Sequence, residues 1–192
     1  MILDKGSRLS INAINAIDRR SQATRDAIGR AFLKLGGMRD FDRLKVDELV
    51  REAGVARSTF YAHYRGLDDY LTRSFAEMLA GFARRERSMA ILPVRNILAH
   101  VAAAGEGAGR LVADHRFPTM MIEGERALRR VASERLAACR PVLSEIERRT
   151  LATVITAGFL SMLRDWLEQG RFISADELAL RFEAVEAKIF DA

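Results

Sequence analysis

Cysteine occurs once in the 192 residues, at Cys139, and proline only three times. One thiol excludes a disulfide framework and a Cys-based zinc site within a single chain, and it suits a reducing compartment. No apolar run reaches the roughly 20 residues that a membrane-spanning helix needs, and the N-terminus has no secretory apolar segment. The expectation is a cytoplasmic protein with no membrane partner. His63, His100 and His115 stand too far apart to make a metal pair on one helix. There is no HExxH, no phosphate-cradling glycine loop and no nucleophile elbow. No metal, cofactor or enzyme activity is expected, and no internal repeat or low-complexity linker is found.

What is present suits a helical protein: 49% of residues are hydrophobic and 30% charged, while β signals are scarce. That balance can bury a substantial core. The net charge of +5 is unevenly placed, because residues 1–65 carry 13 Lys and Arg against 8 Asp and Glu, and residues 66–192 carry 18 of each. All the excess positive charge lies in the first third. Attraction to a phosphate backbone requires such a field; an unevenly charged, solvated surface is the alternative.

The most informative stretch is residues 45–65, KVDELVREAGVARSTFYAHYR. Val46, Leu49 and Val50 repeat at helical spacing until Gly54, a residue that tolerates the left-handed backbone of a helix C-terminus. Beyond it Val55, Phe60 and Tyr64 form a second apolar set, leaving Arg57, Ser58, Thr59, Tyr61, Ala62 and His63 to face elsewhere. Two short helices joined by a glycine turn, the second presenting donors and a positive charge, have the form of a helix-turn-helix.

Around this stretch, residues 1–20 read as a mobile arm whose Lys5, Arg8, Arg19 and Arg20 are available to a DNA backbone. Ser21 has the character of an N-cap for a first helix carrying Ala27, Ile28, Ala31, Phe32 and Leu35, which Gly36-Gly37 ends. Phe41 and Leu44 are expected to complete a small core with the helix-turn-helix. The head thus spans 21–65 and the helical body 66–192. In the body, spacing predicts a helix from Leu67 to about Arg85, then helices near 94–103, 106–114, 118–138 and 142–169. Gly170 closes the last of these, and Ser174 with Glu177 has capping-box spacing for a final helix.

The two C-terminal helices carry wide apolar stripes. Leu151, Val154, Ile155, Gly158, Phe159 and Met162 on the first, with Phe182, Val185 and Ile189 on the second, predict a homodimer built as a four-helix bundle. The competing reading makes both ordinary core helices of a monomer.

Residues 21–71 resemble the DNA-binding domain of the tetracycline-repressor (TetR) family of bacterial transcription regulators. The resemblance is carried by Ala53-Gly54-Val55, Ser58-Thr59-Phe60-Tyr61, His63 and Tyr64, followed by acidic residues and Leu71, and it covers about a quarter of the chain. The stretch WLEQGRFISADEL resembles the body of some TetR-type regulators. An all-α protein is implied, with a three-helix DNA-binding head and a dimerising, ligand-binding body. By position, Arg57, Ser58 and Ala62 would approach bases in double-stranded DNA. Arg57 is the best candidate for a specific contact, since a guanidinium can bond a guanine edge through two hydrogen bonds. Thr59, Tyr61 and His63 would hold phosphates, joined by Lys45 and Arg65.

Two positions depart from the family pattern. Leu67 replaces a usual lysine, and Lys45 replaces a usual Ser or Thr cap. Arg65, two residues before Leu67, offers a substitute charge. The resemblance also implies a pocket for a small apolar ligand, for which Met78, Phe82, His100, His115, Met120, Met121, Phe159, Met162 and Trp166 are candidates. Met and aromatic residues at helical spacing also serve as plain core. The resulting expectation is a ligand-responsive repressor that binds a palindromic operator as a dimer. The rival is an interaction protein of the same shape with weak or no specific DNA binding.

Overall fold

The computed structural model describes residues 20–32, 34–35, 44–105, 109 and 112–190, and every regular element among them is an α-helix. The expected arm over 1–20, apart from Arg20, which is already helical, lies outside the described residues, as do the Gly36-Gly37 stop, Phe41 and most of a helix at 106–114. The chain divides into two compact units, Met1–Leu67 and Asp68–Ala192.

In the first unit, α1 is helical at 20–32 and 34–35, α2 runs Val46–Ala53 and α3 runs Arg57–His63. Ser21 is not the cap expected for α1. Residue 20 is already helical, and the Ser21 hydroxyl accepts a hydrogen bond from the Arg25 guanidinium at 3.0 Å. Ile28, Leu44, Leu49, Val50, Phe60 and Tyr64 are buried, as their spacing on three short amphipathic elements requires. Gly54 takes φ +65°, its N–H bonding the Arg51 carbonyl and the Val55 N–H reaching back to Val50. This left-handed closure ends α2 and turns the chain into α3.

The second unit contains α4 (Leu67–Arg85, which starts at the boundary), α5 (Arg95–Ala103), α6 (Phe117–Cys139), α7 (Glu145–Glu168) and α8 (Ala175–Phe190). α6 packs along α7, and α5 along α8. Gly124 of α6 packs tightly against α4, since a Cβ there would lie 2.8 Å from Leu79 Cδ1 and 3.0 Å from Phe75 Cε1. Pro118 sits in the first turn of α6, where its missing N–H costs nothing.

The α7 start expected at 142 moves to Glu145, because Ser144 and Glu147 form a complete capping box. Ser144 N–H donates to Glu147 Oε2 at 2.8 Å and Ser144 Oγ accepts from Glu147 N–H at 3.3 Å. At the other end Gly170 (φ +74°) and Arg171 (φ +59°) wind back onto the Leu167 and Trp166 carbonyls. Ser174 then caps α8, its hydroxyl accepting from Glu177 N–H at 3.1 Å.

The segment between α4 and α5 has no helix, yet Ile91, Leu92 and Val94 are buried in it. Buried backbone must find partners, and side chains supply them. Arg135 of α6 donates to the carbonyls of Ala83, Glu86, Ser88 and Ala90. Glu186 of α8 accepts from Leu92 N–H at 2.9 Å, and Glu86 Oε2 accepts from Asn96 N–H at the start of α5.

Candidate nucleic-acid interface

The side chains of α3 and its C-cap Tyr64 separate by burial: Phe60 and Tyr64 point into the unit, while Ser58, Tyr61 and Ala62 point outward and Arg57 stands at the rim, about 20° round the helix from Tyr64. Phe60 and Tyr64 are buried with their ring centres 5.4 Å apart, which fixes the rotation of the helix. Arg57, Ser58, Tyr61 and Ala62 are exposed, Thr59 and His63 are partly exposed, and Lys45 and Arg65 lie on the surface of the same unit.

Arg57 is held in place rather than waving in solvent. Its Nη1 lies 2.6 Å from Asp47 Oδ1, and its guanidinium carbon lies 5.6 Å from the centre of the Tyr61 ring. Hydrogen bonding to Tyr61 and the charge of Asp47 raise its pKa above the ordinary arginine value. Tyr61 in turn meets Phe60 edge-on at 5.5 Å, linking the outer face to the buried one. Lys45 is the N-cap of α2 but makes no side-chain cap, because an ammonium has no lone pair to offer. Glu48 Oε2 instead accepts from the Lys45 backbone N–H at 3.3 Å, which leaves the Lys45 charge available at the surface.

Spacing along a helix did not find Asp47. It is ten residues from Arg57 and meets it only because Gly54 folds α3 back beside α2.

The ligand-pocket candidates separate in the second unit. Met120, Phe159 and Trp166 are core: each is almost wholly buried, and the Trp166 indole N–H donates to the Ile173 carbonyl at 2.8 Å. This bond secures the α7–α8 turn. His115 is exposed, 3.8 Å from Asp114. Met78, Phe82, His100, Met121 and Met162 are partly exposed, and the Phe82 and His100 rings lie 4.7 Å apart.

The dimer candidates separate similarly. Ile155, Phe159 and Phe182 are buried within the chain, with the two phenylalanine rings 5.3 Å apart, so they stabilise the protomer instead of an outer face. Val154 and Val185 are exposed at 54% and 51%, and a Cβ on Gly158 would meet nothing. Leu151, Met162 and Ile189 are partly exposed.

A family model described as "Bacterial regulatory proteins, tetR family" matches residues 30–69, the segment containing α2, the glycine turn and α3. Over this segment the head resembles that family. Over 68 residues the chain is 35% identical to the "Uncharacterized HTH-type transcriptional regulator YxbF" of Bacillus subtilis (strain 168), a match covering 33% of this chain and 18% of that protein. The chain therefore spans less than a fifth of the length of that curated relative. A solved TetR transcriptional regulator from Streptococcus agalactiae 2603V superposes with TM-score 0.55 at 23% identity, covering 90% of this chain and 98% of that one. The dihydroxyacetone kinase operon activator DhaS superposes with TM-score 0.57 at 15% identity, covering 86% and 94%. These likenesses extend the TetR-type fold from the head to the body. Among the described residues no helix is long and apolar enough to cross a membrane.

Proposed function

We propose that this chain is a cytoplasmic transcription regulator that reads a roughly palindromic operator as a homodimer. The carrying observation is the two-sided α3: Phe60 and Tyr64 anchor it, and Arg57, Ser58, Tyr61 and Ala62 are left facing solvent on a TetR-type head. Arg57 is the residue for a guanine edge, and Ala62 can touch a thymine methyl. Thr59, Tyr61, His63, Lys45 and Arg65 hold phosphates, which position the helix without reading sequence. Arg65 supplies the charge that Leu67 lacks.

The open faces of α7 and α8 around Val154, Gly158 and Val185 support the dimer. Two α3 helices about 34 Å apart would meet successive major grooves on one side of the duplex. Repression relieved by a small apolar ligand is the mode we favour, with Met78, Phe82, His100, Met121 and Met162 as its contacts. Such a ligand acts by preferring the conformation that does not bind DNA. DhaS, named an activator, shows that this fold also serves the opposite sign.

A second reading rests on Arg57 being engaged by Asp47 and on Leu67 standing in place of lysine. It makes the chain an interaction protein with little sequence preference. Selection of bound fragments from genomic DNA across a salt series separates the two. Enrichment of one palindrome that persists as salt rises supports the regulator; retention that is blind to sequence and vanishes with salt supports the rival.

A further inference from the structure

A cavity of about 620 Å³ opens in the second unit, away from every ligand candidate the sequence suggested. It lies between the segment preceding α5, the C-terminal end of α6 and the last turns of α8, with Met89, Ile91 and Phe190 among its apolar walls. The volume is within the usual range for a small-molecule site, about 300 to 1,000 Å³. Its charges are unequal in standing. Arg95 is neutralised by Glu183 through a two-point pair, Nε to Oε1 at 2.8 Å and Nη2 to Oε2 at 2.5 Å. Arg140 is exposed and lies over the Phe190 ring at 5.4 Å. Glu186 is different, because it is only 5% exposed and still lines the cavity.

The Glu186 carboxylate accepts from Leu92 N–H, but a carboxylate has capacity for about four hydrogen bonds. The nearby Arg135 guanidinium is already shared among four backbone carbonyls. The Ser88 hydroxyl, on the same cavity wall, is buried and has no hydrogen-bond partner. Burial raises the Glu186 pKa, with the neighbouring Glu183 adding to that rise and the Leu92 and Ile91 amides and Arg135 opposing it. A buried acid whose neighbouring guanidinium spends its hydrogen bonds on backbone carbonyls, set among apolar walls beside a ring that already carries a cation on its face, suits a positive group on an apolar body.

We propose that this cavity is a binding site for a small organic cation, an amine or amidine with an aromatic or aliphatic body. The ligand's N–H groups donate to Glu186 and to the Ser88 hydroxyl, and its body displaces Arg140 from Phe190. This inference does not rest on the DNA reading: a chain that binds no operator would still bind the cation, so the two fail separately.

Cys139 lies at the exposed rim of the cavity and is the only thiol in the chain, so its alkylation slows when a bound probe covers that rim. The probe is benzylammonium, compared with its neutral isostere benzyl alcohol and with benzoate, each followed by the rate at which iodoacetamide modifies the full-length protein. Benzylammonium is expected to slow alkylation at least about tenfold at saturation, while the neutral and anionic probes leave it unchanged. Glu186→Gln keeps a carbonyl oxygen for Leu92 N–H and removes the charge, and it should raise the half-protecting concentration about tenfold. Equal protection by benzyl alcohol, stronger protection by benzoate, or no protection by any probe would each overturn the proposal. The wild-type comparison decides even if the variant fails to fold.

Discussion

Arg57 donates to Asp47 across the turn between α2 and α3, Nη1 to Oδ1 at 2.6 Å, with Tyr61 packed beside the guanidinium. A base edge must therefore take Arg57 from a carboxylate, and the carboxylate also repels the phosphates it faces. Exposed pairs of this kind are weak, because solvent and salt screen them. Asp47→Asn is expected to tighten binding to the selected operator about two- to fivefold, and binding to unrelated sequence less, as read by fluorescence anisotropy. In an Arg57→Ala background most of that gain should disappear. A gain of full size there would show that Asp47 acts as a general repulsive charge and not through Arg57.

Gly54→Ala tests the turn. A Cβ at Gly54 would meet no neighbour, so the cost comes only from holding an alanine at φ +65°. That cost is about 1 to 2 kcal/mol, and thermal unfolding should shift down by several degrees. An unchanged melting temperature would mean that the left-handed closure is not required.

The Asp114–Arg116 pair gives the second unit an acid-sensitive lock. Arg116 Nε and backbone N–H both reach Asp114 Oδ1, at 2.7 and 2.8 Å, and Nη2 reaches Oδ2 at 2.5 Å, with both residues buried. Hydrogen bonds from the Arg116 side chain hold the Asp114 carboxyl below its ordinary pKa against the opposing effect of burial. Its contribution is complete above the unfolded carboxylate value, about pH 4, and is lost as pH falls through the depressed folded value. Asp114→Asn should cost about 2 kcal/mol near neutrality, since it takes the nearest carboxylate from a buried guanidinium that still pairs with Asp68, Nη1 to Oδ1 at 3.4 Å. The gap between wild type and variant should narrow steadily in chemical denaturation below about pH 4. A gap independent of pH would contradict the assignment.

Val154→Glu tests the dimer. Val154 is 54% exposed on α7, so the substitution leaves the protomer core alone and places a charge on the proposed contact face. Light scattering should show the mass fall to that of one chain, with helical content by circular dichroism unchanged. A wild-type protein already monomeric at every concentration would remove the dimer.

Much of this was legible in the sequence because helices announce themselves locally. The glycine at 54 and the alternation of Phe60 and Tyr64 with polar neighbours located α2, the turn and α3. Ser174 with Glu177 located the start of α8. Ser144 with Glu147 carries the same signal for α7, but Pro141 is the more conspicuous mark and displaces the expected start by several residues. Side-chain destinations were less legible. Phe159, Val154 and Val185 all sit on apolar stripes, and only packing shows that Phe159 faces inward while the two valines face outward. Arg135 with its four carbonyls, Asp47 with Arg57, and Glu186 with Leu92 join positions far apart in the chain, where no local period can reveal them.

The most direct test of the reading helix is a paired titration of wild type and Arg57→Ala on the fragment that genomic selection enriches and on a scrambled copy. The wild type should prefer the selected fragment. The variant should lose about 1 to 3 kcal/mol on that fragment, relax preference at one base pair, and bind the scrambled copy nearly as before. Equal losses on both sequences would make Arg57 a phosphate contact, and no preference in the wild type would contradict operator reading by α3 altogether.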